Sequence, residues 1–441
     1  MPTYDYPVSS KQQARTVTEP RFEPELFGNE HQLYVDFDEV RDTEFASKVC
    51  FPFGIDTDTN RLEEPTDDYI KIICSGHLGC GKTTELKRLH SELNHADRYF
   101  SIFLSIEEET EYGSFQPEDL FVWILVKLVE AIDERDIPTG RADFEALARQ
   151  LVTTETVETE TKNRRGAEAS AETSGGFNVP GFFKIKGTAK AVLASDNTTA
   201  RKIREEVRKN PLDIIRKINA ALVAMREAVY NAGQGADILF IIDGSEKLRF
   251  EVYEHLFIQN ANLLQSLSLN MLIAVPIDSY YKIEALSSQN FSHSLIIPMI
   301  KLTGPDSPAN RLFKKVIERR IQTDLFFEPG VLDECVKYSG GCIRQLLRIV
   351  NAVMSKALGK RAPLAIAQAA IRAEGNSLNQ VITSKHIEVL RQGLATLRPS
   401  DPEVREMLKQ LVLLKYSDDL PLELNPLLDG IVTLAPPAPT A

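Results

Sequence analysis

Residues 75–89 read SGHLGCGKTTELKRL, and within them Gly76, Gly81, Lys82 and Thr83 stand at the spacing G-x-x-x-x-G-K-[ST], with Gly79 between. That set suits one kind of chemistry. Backbone N–H groups can curl around an anion only where side chains do not obstruct them, which is what glycines permit. The positive end of a following helix adds its field at the same point. A lysine placed there reaches the outer phosphates of a nucleotide, and the adjacent hydroxyl can meet Mg2+. The candidate nucleotide-binding residues are therefore Gly76, Gly79, Cys80, Gly81, Lys82, Thr83 and Thr84. Cys80, beside a helix N-terminus, either carries a stabilised thiolate or is a small side chain facing away from phosphate, the second reading being favoured.

A phosphate loop requires a carboxylate held nearby for the metal. DILFIIDGSEKL, residues 237–248, offers one: the apolar run Ile238 to Ile242 leads to Asp243, and Glu246 follows three residues on. Ligands of open α/β sheets bind beyond the carboxyl ends of the strands, so Asp243 is expected to share the Mg2+ with Thr83. Glu246 is placed to take a proton from an attacking water.

Positioning these groups requires a sheet. YIKIIC (69–74) precedes the glycines as a strand buried on both faces, and KTTELKRLHSEL follows them with Leu86, Leu89 and Leu93 at helical spacing. Residues 99–106, 270–277 and 293–302 read as further strands, predicting an α/β fold with a five-stranded parallel sheet. Residues 116–132 and 210–233 are the covering helices, the second presenting Ile214, Ile218, Leu222, Met225 and Val229 to the sheet. Residues 153–176, rich in Thr, Glu, Ala, Ser and Gly, read as a linker. Residues 177–193 alternate like a hairpin arm, for a partner or nucleic acid or as a plain surface excursion. Beyond the sheet, 307–322 is an amphipathic basic helix, and 330–358 gives two helices broken at Gly340 and Gly341, with Arg344 in the first turn of the second.

The stretches GHLGCGKTTELKRL, ILFIIDGSEKL, NMLIAVPI and YSGGCIRQLLRIV together resemble P-loop ATPases of the AAA+ and STAND groups, including the origin-recognition-like branch and regulatory ATPases of bacterial defence. The resemblance covers about residues 30–430 and implies a helical lid whose arginine senses the γ-phosphate, matching Arg344. Residues 404–428 are similar to the winged-helix ends of such proteins. The division it implies is an N-terminal extension (1–60), an ATPase core (61–305) with an insertion at 153–200, a helical lid (306–396) and a winged-helix-like region (397–441). The implied catalytic set is Lys82, Asp243, Glu246 and Arg344. One departure is that residues 278–300, where the family usually carries an arginine finger, hold no Arg, leaving Arg311, Arg319 or Arg320 as substitutes.

The whole chain narrows the function. No N-K-x-D or D-x-x-G occurs, so the expected cofactors are ATP and Mg2+ rather than GTP. A net charge of −12 over 441 residues disfavours a nucleic-acid backbone or an anionic membrane as partner, with a local basic patch left open. Residues 403–441 carry Arg405, Lys409 and Lys415 against six carboxylates, a poor match for DNA. The five scattered cysteines suit a reducing compartment, and neither a signal peptide nor a spanning stretch is read, so the expectation is a cytoplasmic protein. The expected function is an ATP-hydrolysing switch that controls a protein effector or self-association. A DNA-engaging loader and a nucleotide-binding scaffold with little turnover are the alternatives.

Overall fold

The apolar, β-branched runs form five strands, β1 (Lys71–Gly76), β2 (Tyr99–Ser105), β3 (Asp237–Asp243), β4 (Asn270–Pro276) and β5 (His293–Ile296). They pair in parallel in the order β2-β3-β4-β1-β5. The structure is a computed structural model, and it describes residues 4–20, 32–41, 49–56, 58–63, 68–109, 115–137, 198–287, 291–417 and 419–432. The expected linker at 153–176 and arm at 177–193 lie outside the described residues.

In chain order the helices used below are α1 (Lys11–Val17), α2 (Lys82–Leu93), α3 (Asp119–Glu134), α4 (Thr198–Lys209), α5 (Pro211–Asn231) and α6 (Ile277–Ser287). They continue with α7 (Pro308–Glu318), α8 (Val331–Tyr338), α9 (Ile343–Lys356), α10 (Leu364–Asn379), α11 (Ser384–Leu390) and α12 (Pro402–Lys409). Successive strand residues face opposite sides of the sheet. Ile238, Phe240 and Ile242 of β3 accordingly join α3 and α5 in one core, while Leu239 and Ile241 join Leu86, Leu89 and Leu93 of α2 in the other. All residues of β1 and β3 are buried, as helices on both faces of a parallel sheet demand. Ile214, Ile218, Leu222, Met225 and Val229 of α5 are all buried.

β5 is shorter than the expected 293–302. One further ladder bond, Ile297 N–H to Ser75 O at 2.7 Å, follows it. Pro298 then supplies no N–H, and the chain runs on as extended, non-strand backbone through buried Met299 and Ile300.

Helices α7 to α10 share a third core with the N-terminal segments: Val8, Ala14 and Val17 pack with Phe313, Val350 and their neighbours, and so do Val35 and Phe37. A fourth core is formed mainly by α12 and the short antiparallel hairpin β6 (Leu413–Leu414) and β7 (Glu423–Leu424), with Leu390 of α11 and Ile277 of α6. The fold is thus an α/β core of the P-loop kind on a five-stranded parallel sheet, followed by a helical unit and a small C-terminal unit. No helix among the described residues is long and apolar enough to cross a membrane.

Candidate functional site

The loop between β1 and α2 emerges beside the carboxyl end of β4, and β3 lies on the far side of β4. With strands about 4.8 Å apart, β1 and β3 run about 10 Å apart across β4, which leaves room for a phosphate and a metal ion between their carboxyl ends. Gly76 is the last residue of β1, Gly81 is the N-cap of α2, and Thr83 and Thr84 lie half-buried in its first turn. Among the described residues, the backbone N–H groups of Gly79, Gly81, Lys82, Thr83 and Thr84 meet no acceptor. Five donors on one turn and one helix N-terminus form an anion cradle. Lys82 is buried, and its ammonium donates to the carbonyls of Gly76 at 3.0 Å and His77 at 3.2 Å.

Cys80 contributes neither its N–H nor its thiol to that cradle. Its N–H donates to His77 O at 3.3 Å, and its Sγ is packed in the core against Gly76, towards Ile297 O. The thiolate reading therefore has no geometry behind it, because the sulfur faces the sheet.

Asp243 ends β3 and is buried, level with Ser105 of β2. The turn after it, Ser245–Lys247, is pinned from both sides: Ser245 Oγ donates to Ala274 O on β4, and the Lys247 ammonium pairs with Glu107 just beyond β2. The backbone of Glu246 sits in this turn, and its side chain lies outside the described residues.

The helical unit closes directly on the loop. Arg344 N–H donates to Gly79 O at 3.3 Å, and Cys342 Sγ lies 3.5 Å from Leu78 O. Gly79 has φ +80°, and a Cβ there would come within 2.4 Å of Arg344 Cβ, so the contact exists only because this residue has no side chain. From that point Arg344 and Arg348 line an open cleft of about 870 Å3, with Lys247 and Glu107 opposite. Arg348 is paired with Glu374 at 2.8 Å, whereas Arg344 has no ion pair among the described residues. The structure thus brings Gly79, Lys82 and Arg344 together, and places Asp243 one strand away.

Of the substitute finger residues, Arg320 is buried within the helical unit, its Nη1 donating to Val316 O at 2.8 Å, and burial pushes its pKa down to about 10. A residue so enclosed does not reach another subunit. Arg311 and Arg319 are exposed and half-buried.

Two groups at the loop escaped the sequence reading. Arg41 donates to Cys80 O at 3.0 Å and pairs with Glu85 at 2.8 Å, and Glu85 pairs in turn with Arg88, so an N-terminal segment is clamped to the loop by a buried ionic chain. His77 stands at one of the motif's unspecified positions, and its ring is bonded to the C-terminal unit. Nothing in the local spacing signals either role, because the partners are remote in sequence.

No family model matches the chain, and no curated protein matches it. Among solved structures it is similar to a Walker-type ATPase of Pyrococcus abyssi, at 10% identity and a TM-score of 0.44, over 94% of this chain and 99% of that one. It is also similar to the ORC1 protein of Aeropyrum pernix, solved in complex with DNA, at 12% identity and a TM-score of 0.38, over 90% of this chain and 81% of that one. Both likenesses are distant, and the roles of individual residues rest on the loop and the elements packed around it.

Proposed function

We propose that the chain binds and hydrolyses ATP with Mg2+ and works as a conformational switch that controls a protein partner. The observation that carries this reading is the donor cradle of the loop, closed on one side by a helical unit whose Arg344 touches Gly79. Thr83 and Asp243 are hard oxygen donors of the kind that hold Mg2+ while it keeps several waters. When bound, the ion would polarise the phosphoryl oxygens and neutralise developing charge.

The chain's own groups divide the remaining work. The loop N–H groups hold the phosphates. Lys82 exchanges its loop carbonyls for phosphate oxygens, Glu246 takes the proton of the attacking water, and Arg344 meets the γ-phosphate from the helical unit. Because ADP lacks that last group, the position of the helical unit depends on which nucleotide is bound. The resemblance to STAND regulatory ATPases supports an effector as the controlled partner, with bacterial antiviral defence as one setting.

Lys82→Ala tests the foundation. It removes a charge-assisted contact to two phosphates that no neighbouring residue supplies, and calorimetry is expected to show ATP binding largely lost. Wild-type affinity in this variant would end the nucleotide reading.

A further inference from the structure

His77 is the second residue of the loop sequence GHLGCGK, and its side chain is enclosed by the C-terminal unit at 1% exposure. Both ring nitrogens are engaged. The Lys415 N–H donates to Nε2 at 3.0 Å, and Nδ1 lies 3.2 Å from the carbonyl of Leu408. A backbone N–H can only donate and a carbonyl can only accept, so Nε2 is the bare nitrogen and Nδ1 carries the proton. The neutral ring is thereby held in one tautomer between the end of α12 and the strand end of β6. Burial also pushes the His77 pKa down to about 3, so the ring stays uncharged in ordinary conditions.

The backbone of the same residue serves the phosphate site, since His77 O accepts from Lys82 Nζ at 3.2 Å. The seated ring also fixes the loop backbone whose N–H groups form the anion cradle, so the loop is set for a polyphosphate only while His77 is held. Two ties hold the C-terminal unit independently of His77. Tyr416 OH donates to Gly340 O at 3.1 Å, and the side chains of Gln345 and Asn425 exchange hydrogen bonds at 3.0 and 3.1 Å.

We propose that His77 is a positioning residue that couples nucleotide occupancy of the phosphate loop to the seating of the C-terminal unit. The proposal rests on the nucleotide reading above and extends it to a second part of the molecule. Coupling is reciprocal: whatever shifts α12 and the β6–β7 hairpin alters ATP affinity by the factor through which ATP alters their seating.

The test is hydrogen–deuterium exchange of the 409–417 segment in the full chain, without nucleotide, with ADP and with ATP, alongside calorimetry and a melting curve. In the wild type, exchange at Lys415 is expected to change about fivefold or more on ATP binding. His77→Ala is expected to exchange fast in every state and to bind ATP about tenfold more weakly, with the ties at Tyr416 and Asn425 keeping the chain folded. His77→Gln, whose side chain offers both a donor and an acceptor, is expected to restore part of both effects. If His77→Ala proves unfolded, the wild type and His77→Gln decide the matter between them. Wild-type protein that binds ATP while the 409–417 segment exchanges at one rate in all states overturns the proposal alone, as does a folded His77→Ala that keeps the wild-type nucleotide difference. Wild-type protein that binds no ATP overturns the nucleotide reading and the coupling with it.

Discussion

Lys82 holds two carbonyls of its own loop, which shows how a buried ammonium is kept satisfied until a stronger acceptor arrives. Arg344 is in the opposite condition. Its backbone is fixed to Gly79, while its guanidinium lines the cleft without an ion pair among the described residues. Arg344→Ala retains the backbone contact and removes only the cation, so ADP affinity is expected to be normal and the ATP-dependent change in the helical unit to be lost. A hydrogen bond to a charged group contributes about 1.5–3 kcal/mol, enough to change a closed fraction about tenfold or more. Limited proteolysis in ATP and in ADP reads the difference, and a variant that keeps the wild-type contrast would remove Arg344 as the sensor. Glu246→Gln is expected to spare ATP binding and slow turnover about a hundredfold or more, as loss of a general base does. Steady-state phosphate release measures it, and unchanged turnover would pass the role to another group. Lys82 and Gly79 were legible from sequence because their spacing encodes backbone geometry. Arg41 and His77 were not, since their partners lie 39, 331 and 338 residues away along the chain.

At the level of elements, the strands were readable wherever β-branched residues run together, and β3 ends at Asp243 as expected. The strand order was not readable, because each strand is apolar on both faces and could neighbour any other. The packing of residues 4–20 on the helical unit was equally hidden: only seven of them form a helix, and the rest follow no period. The break between α8 and α9 shows what a sequence can announce without explaining. Gly341 has φ +74°, and a Cβ there would lie 1.8 Å from Ile300 O, so the extended chain after β5 runs hard against the turn. Gly341→Ala combines a left-handed backbone with an overpacked contact and is expected to destabilise the protein by about 2–4 kcal/mol. It should also weaken ATP binding, because Cys342 and Arg344 follow within three residues. Urea unfolding and calorimetry on the same preparation check both, and wild-type values in the two would show that this junction tolerates displacement.

Across the whole molecule, two imidazoles set an acid limit. Burial pushes His77 down to about 3 and His90 down to about 4, the latter with help from the Arg135 guanidinium. Both values lie below that of a histidine in an unfolded chain, so the unfolded state takes up protons that the folded state refuses. Stability from these groups is complete above about pH 6.5 and falls as the pH drops towards 4, by about 1.4 kcal/mol per pH unit for each ring. Chemical denaturation at a series of pH values is expected to show this slope, and His90→Asn to flatten it. A slope unchanged by that substitution would mean that His90 titrates normally in the folded protein. His77 has a further consequence, for biosynthesis. The glycine-rich loop leaves the ribosome well before the backbone groups that hold its second residue, at Leu408 and Lys415, are made. A nascent chain therefore displays the complete motif hundreds of residues before its loop can be fully seated, and premature termination anywhere before Lys415 leaves the imidazole without its donor. Full nucleotide competence would then certify that translation has reached the C-terminal unit.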